Sequence, residues 1–188
     1  MATEEAKYTV KEKAGSFELR QYEPQIVAET AVEGDFEKVG NEGFRRLFGY
    51  ISGNNRKKQS IAMTAPVAQQ PGGEKIAMTA PVNQVKEGGQ WIISFLMPPI
   101  HTMDTLPEPT DPRVRLRQIP GRLVAAIRYS GTWSRRRYDE HEGELRAEMQ
   151  KRGLKPSGDA TWARYNPPFT LWFLRRNEVL IPVSQAGQ

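Results

Sequence analysis

Leu19-Arg20-Gln21 returns as Leu116-Arg117-Gln118, an offset of 97 residues. The same offset lays Gln25-Ile26-Val27-Ala28 on Arg122-Leu123-Val124-Ala125, and Gly34-Asp35-Phe36 on Gly131-Thr132-Trp133, without a gap. A period of this length is not that of a solenoid array. Two copies imply one domain with a pseudo-twofold internal duplication, its halves near 8–97 and 113–183.

Each half reads strand, strand, helix, strands. Residues 16–22 and 25–33 read as a strand pair turned at Glu23-Pro24, with Phe17, Leu19 and Gln21 alternating against Glu18 and Arg20. Gly34 ends the second strand, and Asp35 is placed to cap a helix running to about Tyr50. Phe36, Phe44, Leu47, Phe48 and Ile51 recur at helical spacing along it, and Gly53-Asn54-Asn55 supplies the stop. Strands follow near 60–67, 75–83 and 90–97, the last continuously apolar and so covered on both faces. Five prolines between 98 and 112 stiffen the connection. The second half places strands near 113–119 and 122–130, a helix over 134–152 with Ser134 as cap, and strands near 161–166 and 178–183. The packing expected is α+β: a distorted antiparallel β-barrel or curved sheet carrying two helices, with a groove for ligands.

A shorter repeat lies inside the first half. Ile61-Ala62-Met63-Thr64-Ala65-Pro66-Val67 recurs as Ile76-Ala77-Met78-Thr79-Ala80-Pro81-Val82, with Pro71-Gly72-Gly73 between them. Two apolar segments around a turn signal predict a hairpin, and the prolines, having no N–H, limit the ladder.

The chain of 188 residues contains no cysteine, which excludes disulfides, thiolate metal sites and thiol catalysis. The acidic N-terminus has no apolar core of a secretory signal, and no run reaches membrane-spanning length, so a cytoplasmic protein is expected. Net charge is +5, with basic clusters at 56–58, 135–137 and 175–176. These serve as solvated surface or attract anionic ligands. No helix joins basic residues to a nucleic-acid reading motif, so nucleic acid is not expected as a partner.

The doubled Ile-Ala-Met-Thr-Ala-Pro-Val, the segment from Pro107 to Val114, and Tyr165-Asn166-Pro167-Pro168-Phe169 through Val179 closely resemble the SOUL haem-binding protein family, in its bacterial-type members. The opening from Tyr8 to Tyr22 and Ala28-Glu29-Thr30 fit as well, so the resemblance spans about 7–183. It implies a distorted β-barrel flanked by two helices, and reversible binding of haem or another tetrapyrrole. Some family members use an axial histidine and others an apolar pocket.

Two histidines are available as iron ligands. His141 lies on the inner stripe of the second helix with Tyr138 and Leu145, at the place of Phe44 in the first. It serves there either as a ligand or as a packing residue satisfied by a local hydrogen bond. His101, in the proline-rich connection, is the alternative ligand or a solvated loop residue. Met63 and Met78 line a pocket or pack a core. Phe44, Leu47 and Phe48 stack on a porphyrin or on the sheet. Arg135 and Arg136, with Arg137, open the second helix, where free N–H groups favour a propionate; Arg56, Lys57 and Lys58 are the other cationic cluster.

The function these features predict is a tetrapyrrole carrier, buffer or sensor. The alternatives are an enzyme on the same groove, with Glu29, Glu42 and Glu178 as available acids, or an effector-binding module of the gyrase-inhibitor type, an analogy of architecture alone. A buried carboxyl with a raised pKa would favour the enzyme.

Overall fold

The computed structural model describes residues 4–57 and 73–184. In chain order, β1 (Glu4–Glu5), β2 (Tyr8–Ala14), β3 (Phe17–Tyr22) and β4 (Gln25–Val32) precede α1 (Phe36–Ile51). Next come β5 (Asn55–Arg56), β6 (Thr79–Ala80), β7 (Val82–Glu87), β8 (Gln90–Leu96) and β9 (Glu108–Pro109). The chain continues through β10 (Val114–Ile119), β11 (Arg122–Tyr129), α2 (Arg135–Lys151), β12 (Lys155–Pro156) and β13 (Thr161–Arg164). A 3₁₀ turn (Trp172–Leu174) and β14 (Asn177–Ser184) complete it.

The main sheet runs β10-β4-β8-β7-β13-β14-β11-β3-β2, antiparallel throughout, with β12 pairing off β14. The fold is α+β, and among the described residues the ladder is open rather than closed into the expected barrel. β2 covers the outer edge of β3, while β10 is left as the other edge. Arg115 and Arg117 point exposed charge from β10, a feature that blunts further strand pairing.

The segments 16–22 and 25–33 are strands but do not pair with each other. β3 lies between β2 and β11, and β4 lies between β10 and β8. Each therefore bonds a strand from the other half. Val27 faces Arg117 across β4 and β10, and Val124 faces Arg20 across β11 and β3, the same pair displaced by 97 residues. Ala28 opposite Leu116 repeats in the same way as Ala125 opposite Leu19.

The second copy of the heptad does not form one strand. Ile76 is buried with its N–H bonded to Ile51 O, Thr79–Ala80 pairs in parallel with Glu4–Glu5, and β7 begins only after Pro81. Both edges of β7 are occupied, by β8 and β13. The first copy, with Met63 and the expected hairpin partner 61–67, lies outside the described residues, as does Lys58.

α1 packs on β8 and β4, and α2 on β11 and β14. The helices meet near their starts, where Phe36 stacks on Tyr138 and on Trp162. Asp35 occupies the N-cap position of α1 without a side-chain cap bond and lies near Lys38 instead, whereas Ser134 Oγ accepts from Arg137 N. Gly43 sets how closely α1 approaches the sheet: a Cβ there would fall 2.4 Å from Ile93 Cγ1 and 2.6 Å from its Cβ. Gly43→Ala therefore costs about 1–3 kcal/mol of overpacking against a gain of ~1 kcal/mol in helix propensity. A lower denaturation midpoint is expected for this variant; an unchanged or higher one would contradict the close approach.

Candidate functional site

A groove of about 400 Å³ opens between the N-terminal half of α1, β6, β7 and the loop after β13. Phe44, Met78, Ala80, Val82 and Trp133 give it apolar walls, and Pro167, Pro168 and Phe169 form its lip. Among the described residues no carboxylate lines it, and the cation on its wall is Arg164, the last residue of β13.

Arg164 is in this place because β13 alternates. Trp162 and Arg164 share one face of the strand, and the guanidinium lies over the rings of Trp162, at 4.9 Å, and Trp133, at 5.3 Å. Gly40 leaves the room it needs, since a Cβ on that glycine would stand 2.8 Å from Arg164 Nη2. Nη2 reaches Gln84 Oε1 at 3.5 Å, Nε has no partner, and no carboxylate pairs with this arginine among the described residues. Burial pulls its pKa down to about 10. A desolvated cation without an anion is costly, and the two indole faces offset only part of that cost. The arrangement is built to receive a negative group.

Behind the groove lies a buried ionic network. Glu178 is fully buried, and Arg20, 2% exposed, grips it with two bonds of 2.6 and 3.0 Å. Arg176 Nε donates to Glu178 Oε1 at 3.0 Å, and the hydroxyl of Tyr165 donates to Oε2 at 2.8 Å. Burial pushes the Glu178 carboxyl up, but the bonds and charges of Arg20 and Arg176, with Tyr165, outweigh it and hold the pKa below the usual range. Glu178 is thus an ionised anchor rather than a proton donor, and it fixes Tyr165, which lines the groove. The other carboxylates available as acids are also engaged, Glu29 by Arg117 and Glu42 by Arg46.

The structure disperses the residues singled out from sequence. Phe44 and Met78 line the groove, with Phe48 exposed beside it and stacked on Phe44. Leu47, Tyr138 and Leu145 are buried in the core, and Tyr138 donates its hydroxyl to Ala160 O. Arg135 pairs with Asp139 and lies over Phe36, while Arg136 pairs with Glu140 in solvent. Neither lines the groove.

His141 is not among the residues lining either large cavity. Its ring stacks on Tyr129 with centroids 3.9 Å apart, and Nδ1 lies 2.9 Å from Glu144 Oε2, while Nε2 is buried without a partner. The 97-residue offset sets different side chains at matching positions of the two helices. Where α1 has Gly40, Asn41 and Phe44, α2 has Arg137, Tyr138 and His141. Tyr138 packs towards Trp162 and His141 towards Tyr129.

His101 lines a different cavity, of about 510 Å³, near the turn between β3 and β4. Glu5, Glu23 and Asp104 share its walls with Lys7, and Glu5 is paired with Arg176.

The SOUL heme-binding protein family pattern matches residues 3–182. The chain belongs to this family. Among relatives of this SOUL-family protein, Heme-binding protein 1 of Xenopus laevis is 25% identical over 170 residues, covering 86% of this chain and 85% of that protein. Heme-binding protein 2 of Mus musculus is 44% identical over 54 residues, 28% of this chain. That alignment spans only 26% of the mouse protein's length. Among solved structures, a hydrolase from Listeria innocua superposes with TM-score 0.58 at 12% identity, covering 93% of this chain and 94% of that one. The EcmrR C-terminal domain gives TM-score 0.58 at 12% identity, covering 95% and 99%. At these identities the likeness is one of fold.

Arg164 was not singled out from sequence. The signal was there in Trp162-Ala163-Arg164: an arginine on the same strand face as a tryptophan, in a stretch from 160 to 177 without a carboxylate.

Proposed function

We propose that this SOUL-family chain binds haem or a related tetrapyrrole in the groove beside α1. The ring lies against Phe44, Met78 and Val82, and a propionate meets Arg164. The observation that carries this reading is an unpaired, desolvated guanidinium in a groove whose other walls are apolar or neutral. The donor set fits an amphipathic anion: apolar surface for the macrocycle, a fixed cation for the carboxylate. Bound haem would supply an iron centre, while the chain supplies burial and charge. The printed names of the relatives, Heme-binding protein 1 and 2, agree with this ligand class.

A carrier or buffer role follows from recognition of the ring without an imidazole in the groove. The repeated ladder registers support an origin of the fold in duplication, with one of two equivalent positions left open as the site.

Titration with ferric haem and with metal-free protoporphyrin, followed at the Soret band, tests the reading. Affinities within about tenfold of each other are expected, since apolar contact and propionate pairing are common to both ligands. A strong preference for ferric haem that vanishes in His141→Ala would instead assign the iron to His141.

A further inference from the structure

The loop 167–174 holds apolar side chains in solvent. Phe169, Leu171, Trp172, Phe173 and Leu174 are 51% to 87% exposed, the last four consecutive and Phe169 set off by Thr170. Exposed apolar groups scattered singly need no explanation, but a contiguous block is a contact surface. The block is held in place rather than loose. Arg175 donates to Thr170 O at 2.8 Å and to Pro168 O at 2.6 Å and lies over Trp133, while Trp172 O accepts from Gly131 N at 3.1 Å. Met78, 41% exposed, lines the same groove as Phe169.

The surrounding charge identifies the partner. Segments 126–138 and 160–177, joined at Gly131 and Trp172, carry seven arginines and no carboxylate. Arg135 and Arg136 are neutralised by Asp139 and Glu140, which directly follow the first segment, and Arg176 by Glu178, which follows the second, and by Glu5. Arg128, Arg137 and Arg175 pair with no carboxylate among the described residues, Arg137 donating to Ser130 O and Arg175 to its own loop, while Arg164 is withdrawn into the groove. An aromatic and leucine block within a cationic field matches the two layers of an anionic bilayer surface, acyl chains below and phosphates above. Each cation near such a surface adds roughly 1 kcal/mol of attraction.

We propose that loop 167–174 docks this protein on anionic lipid membranes, with Trp172 and Phe173 entering the interface and the neighbouring arginines meeting the phosphates. No helix among the described residues is long and apolar enough to cross a membrane, so the attachment is peripheral. Pro167, Pro168 and Phe169 belong to both the loop and the lip of the groove, so docking sets the groove mouth at the lipid interface. If the groove binds a tetrapyrrole, as proposed above, the ligand would pass between bilayer and protein there. The docking itself does not depend on that reading.

The full chain is floated with vesicles of phosphatidylcholine alone and of phosphatidylcholine mixed with phosphatidylglycerol. Binding is expected to the mixed vesicles, to weaken with salt, and to show quenching by brominated acyl chains that falls in Trp172→Phe. The double variant Trp172→Ser, Phe173→Ser should bind on the order of tenfold more weakly or worse, with an unchanged circular dichroism spectrum and unfolding midpoint. Flotation of the double variant like wild type, or wild type floating with neither vesicle, overturns the proposal. A wild-type dimer that the double variant dissolves, without vesicle binding, would make the loop a self-association surface instead.

Discussion

Glu178→Gln is expected to lower stability by about 3 kcal/mol, the cost of removing the buried anion that Arg20 and Arg176 share. The substitution keeps the shape of the side chain and removes its charge. Arg20 would then keep its ion pair with Glu18, its bond to Tyr22 and one neutral amide oxygen in place of the carboxylate, around a desolvated guanidinium, and Arg176 would keep Glu5. Tyr165 would lose its strong acceptor. Denaturant unfolding measures the loss, and a drop below ~1 kcal/mol would mean that the network is not electrostatically coupled. The pH dependence has a definite sign. The carboxyl titrates below its ordinary 4.5 in the folded chain, so its contribution is full above that value and is lost as pH falls through the folded pKa. Wild-type stability should therefore decline below about pH 4.5 more steeply than that of Glu178→Gln.

Arg164→Gln should move stability and binding in opposite directions. A charge-assisted hydrogen bond is worth about 1.5–3 kcal/mol, so affinity for a porphyrin bearing free propionates should fall roughly tenfold to a hundredfold. The empty protein should be as stable as wild type or more stable, because the substitution removes a desolvated cation that has no anionic partner among the described residues. A porphyrin dimethyl ester should bind wild type and variant alike. Replacing Arg135, Arg136 and Arg137 together should matter less, since the first two are already paired with Asp139 and Glu140 in solvent. Equal loss for free acid and ester would show that Arg164 shapes the groove rather than meeting a carboxylate.

The two helices and most strands were legible because periodicity reports burial. α1 and α2 begin and end within a residue or two of the expected positions. Strand partners were not legible. The turn at Glu23-Pro24 suggests a local pair, but each strand of that pair bonds the opposite half, a choice set by packing across the whole sheet. The site was half legible. Phe44 and Met78 follow from stripe and motif, whereas His141 drew notice for its chemistry and is found against Tyr129. Arg164 escaped because a lone arginine in a strand looks like surface until the fold sets Gly40, Trp133 and Trp162 around it.

The most direct measurement is a crystal structure of the protein grown with ferric haem. The ring is expected in the α1 groove, in contact with Phe44 and Val82, with a propionate oxygen within hydrogen-bond distance of Arg164. A ring bound at His141, or in the cavity that holds His101, would contradict the account.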